Sequence, residues 1–156
     1  MMDYDIKIKK ASEVTLYGTC DDTIVVPSTV KFDTDRRKAD IEIDDETPVK
    51  VGMPNIAEKI ELEVKDSTVI LKDLSYEDLE IDGKGNIVID AENITGSLQI
   101  NLVGGEAILR LPSGYRFQAV NKGRSTTIEN GLTSDPDATD IVEFNGKDSV
   151  LKIVEK

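Results

Sequence analysis

The stretch Ile81–Gly105, IDGKGNIVIDAENITGSLQINLVGG, holds three apolar runs and three glycine-marked interruptions in twenty-five residues. Its reading decides between two kinds of protein. If Gly83-Lys84-Gly85 cradles a phosphate, the chain is a nucleotide-binding enzyme. If the glycines are corners, it is a repetitive β structure. A phosphate loop needs a helix N-terminus directly after its glycines, to offer free amides and a favourable dipole. Here Asn86-Ile87-Val88-Ile89 follows, which reads as strand, and Lys84 precedes Gly85 rather than Ser or Thr. The glycines therefore read as corners requiring positive φ, and Lys84 as a solvated corner residue.

The rest of the chain follows the same rhythm. Apolar and polar residues alternate in short runs such as Asp5–Lys9, Asp40–Asp44, Ile60–Val64, Leu98–Leu102, Ile108–Leu111 and Val150–Ile153. A period of two marks strands, and turn residues separate most of the runs. Taking Leu62, Leu71, Ile81, Ile89, Ile100, Leu111, Ala119 and Ile128 as inward residues gives successive gaps of nine, ten, eight, eleven, eleven, eight and nine. Helix has only two short candidates, Pro54–Lys59 and Leu74–Leu79, neither long enough to supply a crossover between parallel strands.

Such spacing fits an antiparallel β-sandwich or a stack of coils in which each strand stacks on its equivalent in the next. Two features favour the stack. Hairpin dipeptides are scarce, with Asn-Gly only at Asn130 and Asn145 and Asp-Gly only at Asp82. The runs are also shorter than typical sandwich strands. Trp is absent and Phe plus Tyr number seven, as expected where narrow coils are filled by Ile, Leu and Val. The expected fold is all-β: a short irregular β-solenoid, single-stranded β-helix or β-prism-like stack. It forms one domain over residues 1–156, with less distinctive coils or a cap over 1–58 and the main stack over 59–156.

Within the second part, the repeated Ile-x-Ile/Leu runs with Gly or Asn corners over Leu79–Leu102 are joined by LRLPSGYRFQAVNKG, Leu109–Gly123. The closing DIVEFNGKDSVLKI, Asp140–Ile153, reads as a final hairpin turning at Asn145-Gly146. On these residues, Ile60–Lys156 resembles the bacterial putative-adhesin family of unknown function. The resemblance implies a coil-stacked β domain and transfers no catalytic residue.

Composition narrows the chemistry. The net charge of −12 disfavours nucleic acid and anionic lipid, both of which are bound mainly through Lys and Arg. The short basic runs Arg36-Arg37-Lys38 and Lys122-Gly123-Arg124 read as solvated turns. Histidine is absent, which removes the Ser-His-Asp triad, the Cys-His pair and imidazole metal sites. Cys20 stands alone, so no internal disulfide forms, and no His is present to activate its thiol. Asn93-Ile94-Thr95 fits a corner and a strand edge better than a glycosylation acceptor.

The acidic pairs Asp21-Asp22, Asp33-x-Asp35, Asp44-Asp45-Glu46 and Asp135-x-Asp137 read as solvated turns. Calcium needs six to eight converging oxygens, so adventitious Ca²⁺ is the one metal association they suggest, and no cofactor is assigned. No catalytic, cofactor-binding or metal-binding residue is assigned. Paired Asp or Glu acting as in a glycosidase is the enzymatic alternative, although Tyr4, Tyr17, Tyr76 and Tyr115 are scattered between strands rather than grouped as sugar platforms. The expectation is a non-enzymatic scaffold or interaction module, with a protein or glycan partner, no nucleic acid and no membrane insertion. Unpaired backbone at a stack end suggests a homodimer. No window approaches the ~20 apolar residues of a membrane-spanning helix, and the start MMDYDIKIKK lacks a signal-peptide pattern. The expected compartment is the cytoplasm, or the cell surface if the natural chain begins earlier.

Overall fold

The computed structural model describes residues 2–156, and every regular element in it is a strand. In chain order these are β1 (Asp3–Lys10), β2 (Glu13–Thr19), β3 (Lys31–Asp35), β4 (Lys38–Asp44), β5 (Val49–Pro54), β6 (Ile56–Lys65), β7 (Thr68–Lys72), β8 (Ser75–Lys84), β9 (Ile87–Glu92), β10 (Thr95–Val103), β11 (Glu106–Leu111), β12 (Gln118–Asn121), β13 (Arg124–Asn130) and β14 (Ile141–Glu155). Neither candidate helical turn forms. Ile56–Lys59 lies in β6 and Ser75–Leu79 in β8, where Ala57 pairs with Tyr76 and Ile60 with Leu79.

The strands form one curled sheet with two arms. The first arm runs β3-β4-β1-β6-β8-β10-β14, and the second runs β14-β11-β9-β7-β2-β5. All strand pairings are parallel except β3–β4. Each coil supplies one strand to each arm, as β6 and β7 or β8 and β9 do. This is the expected β-solenoid-like stack, and the antiparallel sandwich is excluded by the parallel ladders. Parallel pairing without helical crossovers is possible because a coil returns its chain one layer on after about twenty residues.

The coils do not stack in sequence order. The β4/β5 coil lies outside the β1/β2 coil, because β1 pairs with both β4 and β6. At the other end β14 inserts between the β10/β11 coil and the β12/β13 coil. The expected closing hairpin at Asn145-Gly146 does not exist. β14 instead runs through that point as one long strand serving both arms, with Gly146 at φ +140° and Asp148 at φ +51° turning it. Leu102 explains the glycine at 146: a Cβ there would lie 2.1 Å from its carbonyl oxygen.

Inward positions of both arms merge into one aliphatic core. Leu62, Ile81, Ile100 and Phe144 form one continuous inner row, all fully buried. Gly83 belongs to the next row, between Val64 and Leu102. It is a strand residue rather than a corner, and a Cβ there would sit 2.9 Å from Ile87 Cδ1. Gly85, Gly104 and Gly105 sit at corners with positive φ, as do Asp66, Asp73 and Asn93, whereas Gly96 has its positive φ within β10, where the register against β8 shifts.

Candidate functional site

In a strand, alternate residues leave the core, and in a parallel ladder equal register brings them into rows about 4.8 Å apart. On the outer face of the first arm, this aligns the charged halves of successive runs. One row reads Asp33, Asp40, Asp5, Glu61, Glu80, Gln99, Glu143, Val120. A parallel row reads Lys65, Lys84, Val103, Lys147, Arg124. Like charges directly opposite one another cost up to about 1 kcal/mol per pair, so the acidic row opposes rather than assists stacking.

Neighbouring side chains offset part of that repulsion. The Lys59 ammonium lies 2.9 Å from Glu61 and 3.8 Å from Glu80, and Lys122 lies 2.7 Å from Glu143. Asn101 donates to Glu80 at 3.2 Å and to Asp82 at 2.9 Å, while accepting from Gln99 at 3.2 Å. The hydrogen bond to Glu61, aided by nearby carboxylates, raises the Lys59 pKa. At the outer coil, the hydrogen bond from Lys9 lowers the Glu42 pKa.

A groove of about 360 Å³ crosses this face where β6, β8, β10, β14 and β12 adjoin. Lys59, Asp78, Glu80, Ser97, Gln99, Lys122 and Glu143 give it amide, hydroxyl, carboxylate and ammonium groups, and Val120 and Ile141 add apolar patches. It is an open, polar, chemically mixed surface suited to contact. Its Glu80 and Glu143 carboxylates sit beside the Lys59 and Lys122 ammonium groups.

Of the features singled out in the sequence, Lys122 of the second basic run lines the groove and the others lie elsewhere. Gly85 is a corner, and Lys84 ends β8 on the exposed basic row. Asp21, Asp45 and Asp135 accept the backbone N–H of Thr23, Thr47 and Asp137, respectively. Each carboxyl pKa is lowered, that of Asp21 chiefly by the Thr23 side chain and then by its N–H, and that of Asp45 chiefly by the Thr47 N–H. For Asp135 the leading cause is Arg116, whose Nη2 donates at 2.6 Å. Asp35 accepts the Arg36 N–H at 2.7 Å, and Asp33 faces Asp40 across β3–β4. No cluster of three or more such ligands fit for a metal occurs among the described residues. Cys20 is exposed. Tyr4 and Tyr76 are buried, and Tyr115 stacks on Phe117 with centroids 6.0 Å apart, so none lines the groove. Asn93 is a positive-φ corner and Thr95 opens β10.

Gln99, Ser97 and Lys59 carried no motif. Their signal was the nineteen-residue step from Glu61 to Glu80 to Gln99, visible only once one coil is known to take two runs.

With the geometry established, comparison with known proteins bears on the fold. Its architecture is shared. The chain is similar to the crystal structure of a putative cell adhesion protein from Clostridium sporogenes ATCC 15579, with a TM-score of 0.57 over 99% of this chain and 93% of that one. Sequence identity is 11%, so the likeness is one of fold. No family model matches the chain, and no curated protein matches its sequence. None of the described residues forms a helix long and apolar enough to cross a membrane.

Proposed function

We propose that this protein is a non-catalytic, adhesin-like binding module that holds a protein or glycan along the outer face of its first arm. The observation that carries the reading is the acidic row itself. Asp40, Asp5, Glu61 and Glu80 occupy consecutive strands at a cost to stability, beside a groove whose groups are suited to contact. The shared fold with a putative cell adhesion protein supports the same class of role.

The test is a binding screen of the immobilised protein against glycans and basic peptides, repeated with Glu80→Gln and Gln99→Ala. Loss of one central contact should weaken a true ligand by about tenfold, equivalent to ~1.4 kcal/mol. Binding that both variants leave unchanged places the site elsewhere. Release of reducing ends from a bound glycan favours the paired-carboxylate enzyme instead.

A further inference from the structure

The last strand of a stacked sheet leaves half of its backbone groups unpaired, and natural sheets cover or charge such edges. Three of the four ladder ends here are treated in this way. β4 is covered by β3, whose sequence places Lys31, Asp33 and Asp35 at alternate positions. β5 is met at Gly52 by Val25, with both backbone hydrogen bonds at 2.9 Å. β12 is met by the segment after β13: Ala119 N–H donates to Ser134 Oγ at 2.9 Å, and Asp135 N–H donates to the Phe117 carbonyl at 2.8 Å.

β13 is left open. Among the described residues β14 is its only ladder partner, and its central Thr126, Thr127 and Ile128 carry no charge. Gly131 N–H donates to the Ile153 carbonyl at 2.8 Å, so Thr127 and Glu129 also direct their backbone groups toward β14. Thr126, Ile128 and Asn130 therefore direct theirs outward. Asn121 Nδ2 reaches the Thr126 carbonyl at 3.0 Å, leaving that oxygen a second lone pair. The Ile128 side chain is half-buried against the end of the core.

We propose that β13 docks on β13 of a second copy of this chain, antiparallel and centred on Ile128. That register opposes Ile128 to Ile128, Thr126 to Asn130 and Thr127 to Glu129. It pairs all three outward residues and sets no like charges opposite one another, which is what makes the edge self-complementary. A self-complementary contact closes at two copies and cannot propagate into a fibre. Five residue pairs bury far less than the ~1,200 Å² of a stable interface, so the dimer is weak, with a Kd of about 10⁻⁴ M. The proposal stands apart from the functional reading, because it uses the second arm and leaves the first arm's face free on both copies.

Sedimentation equilibrium and residue-resolved amide exchange on the full chain test it, at about 20 μM and about 1 mM protein. The expected mass rises from near 17.2 kDa toward twice that value, more so at high salt, because copies of charge −12 repel. The Ile128 and Asn130 amides should slow about fourfold between the two concentrations, following the free-monomer fraction, while those of Thr127 and Glu129 stay constant. Asn130→Pro removes one outward donor and should restore the monomer mass. If that variant does not fold, exchange on the unaltered chain decides alone. A monomer mass at 1 mM overturns the proposal, as does concentration-dependent protection at Lys31–Asp35 instead of at Ile128 and Asn130.

Discussion

Asp66 accepts the backbone N–H of Asn86 at 3.1 Å, one coil further along the chain, and Asn86 accepts that of Glu106, also at 3.1 Å. Each step is twenty residues. Side chains at one corner thus tie three coils together outside the ladders, and a matching pair on another corner joins Asn93 to Asp73 at 3.3 Å. Asn86→Ala should cost about 1 kcal/mol, because it orphans the Glu106 donor where water can partly replace the acceptor. For a chain of this size that lowers Tm by about 2–4 °C in a calorimetric scan.

Gly85 lies beneath that tie. A Cβ there would be 2.0 Å from Asp66 Oδ1, and φ is +81°. Gly85→Ala should therefore cost more than the roughly 1 kcal/mol of an ordinary left-handed alanine, because it also displaces the carboxylate. Combining it with Asp66→Ala should cost less than the sum of the two single changes. A double-mutant cycle in urea measures the coupling, and simple additivity would show that the two side chains do not compete.

Within the core, Ile100 is fully buried between Ile81 and Phe144. Ile100→Ala should destabilise by about 2–5 kcal/mol. Gly83→Val acts in the opposite sense, overfilling the row against Ile87 and Leu102 at a cost of about 1–3 kcal/mol. Denaturant midpoints shifted to lower concentration in both variants, with unchanged slopes, are the expected result.

Alkali should unfold the protein through its buried phenols. Burial is the leading cause that raises the pKa of Tyr76 and Tyr115, with Asp140 adding to both, and burial also raises Tyr4. Unfolded tyrosine ionises near pH 10. Above that value the unfolded chain has released protons that the folded chain retains, so stability declines as pH rises. Tyrosinate absorbance from these residues should appear together with loss of the β circular-dichroism signal. The acid side has the opposite origin. Asp21, Glu42, Asp45 and Asp135 have lowered pKa values, and their contribution is present above the unfolded carboxylate range and lost as pH falls through the folded values. Urea midpoints measured from pH 2 to 11 should define a plateau between these two limits.

Much of the stack was legible locally because strand alternation is a local signal. Leu62, Leu71, Ile81, Ile89, Ile100 and Leu111 are all buried as their spacing required, and only Ala119 and Ile128, in the outermost coil, are half-buried. The order of the coils was not legible. Nothing in Ile141–Glu155 states that it inserts beside β10 and β11, because that choice rests on long-range pairing. Asn145-Gly146 resembled a hairpin turn since the dipeptide supplies positive φ, and here Gly146 uses it to bring the backbone close to Leu102. The candidate face was hidden for a related reason: its acidic row is assembled from residues that are each unremarkable within their own run.

The displaced coils at both ends also constrain how such a protein can lengthen or shorten. Between Ile56 and Leu111 sequence order and stacking order coincide, so a duplicated segment of about twenty residues could be accommodated there as one more layer. At either end it could not. Among the described residues, β12 and β13 join the stack through β14, and the β4/β5 coil joins it through β1 and β2. Loss of the final fifteen-residue strand would therefore strand the coil before it as well. Gain and loss of repeats is confined to the middle of the chain, between terminal strands that lock its two ends.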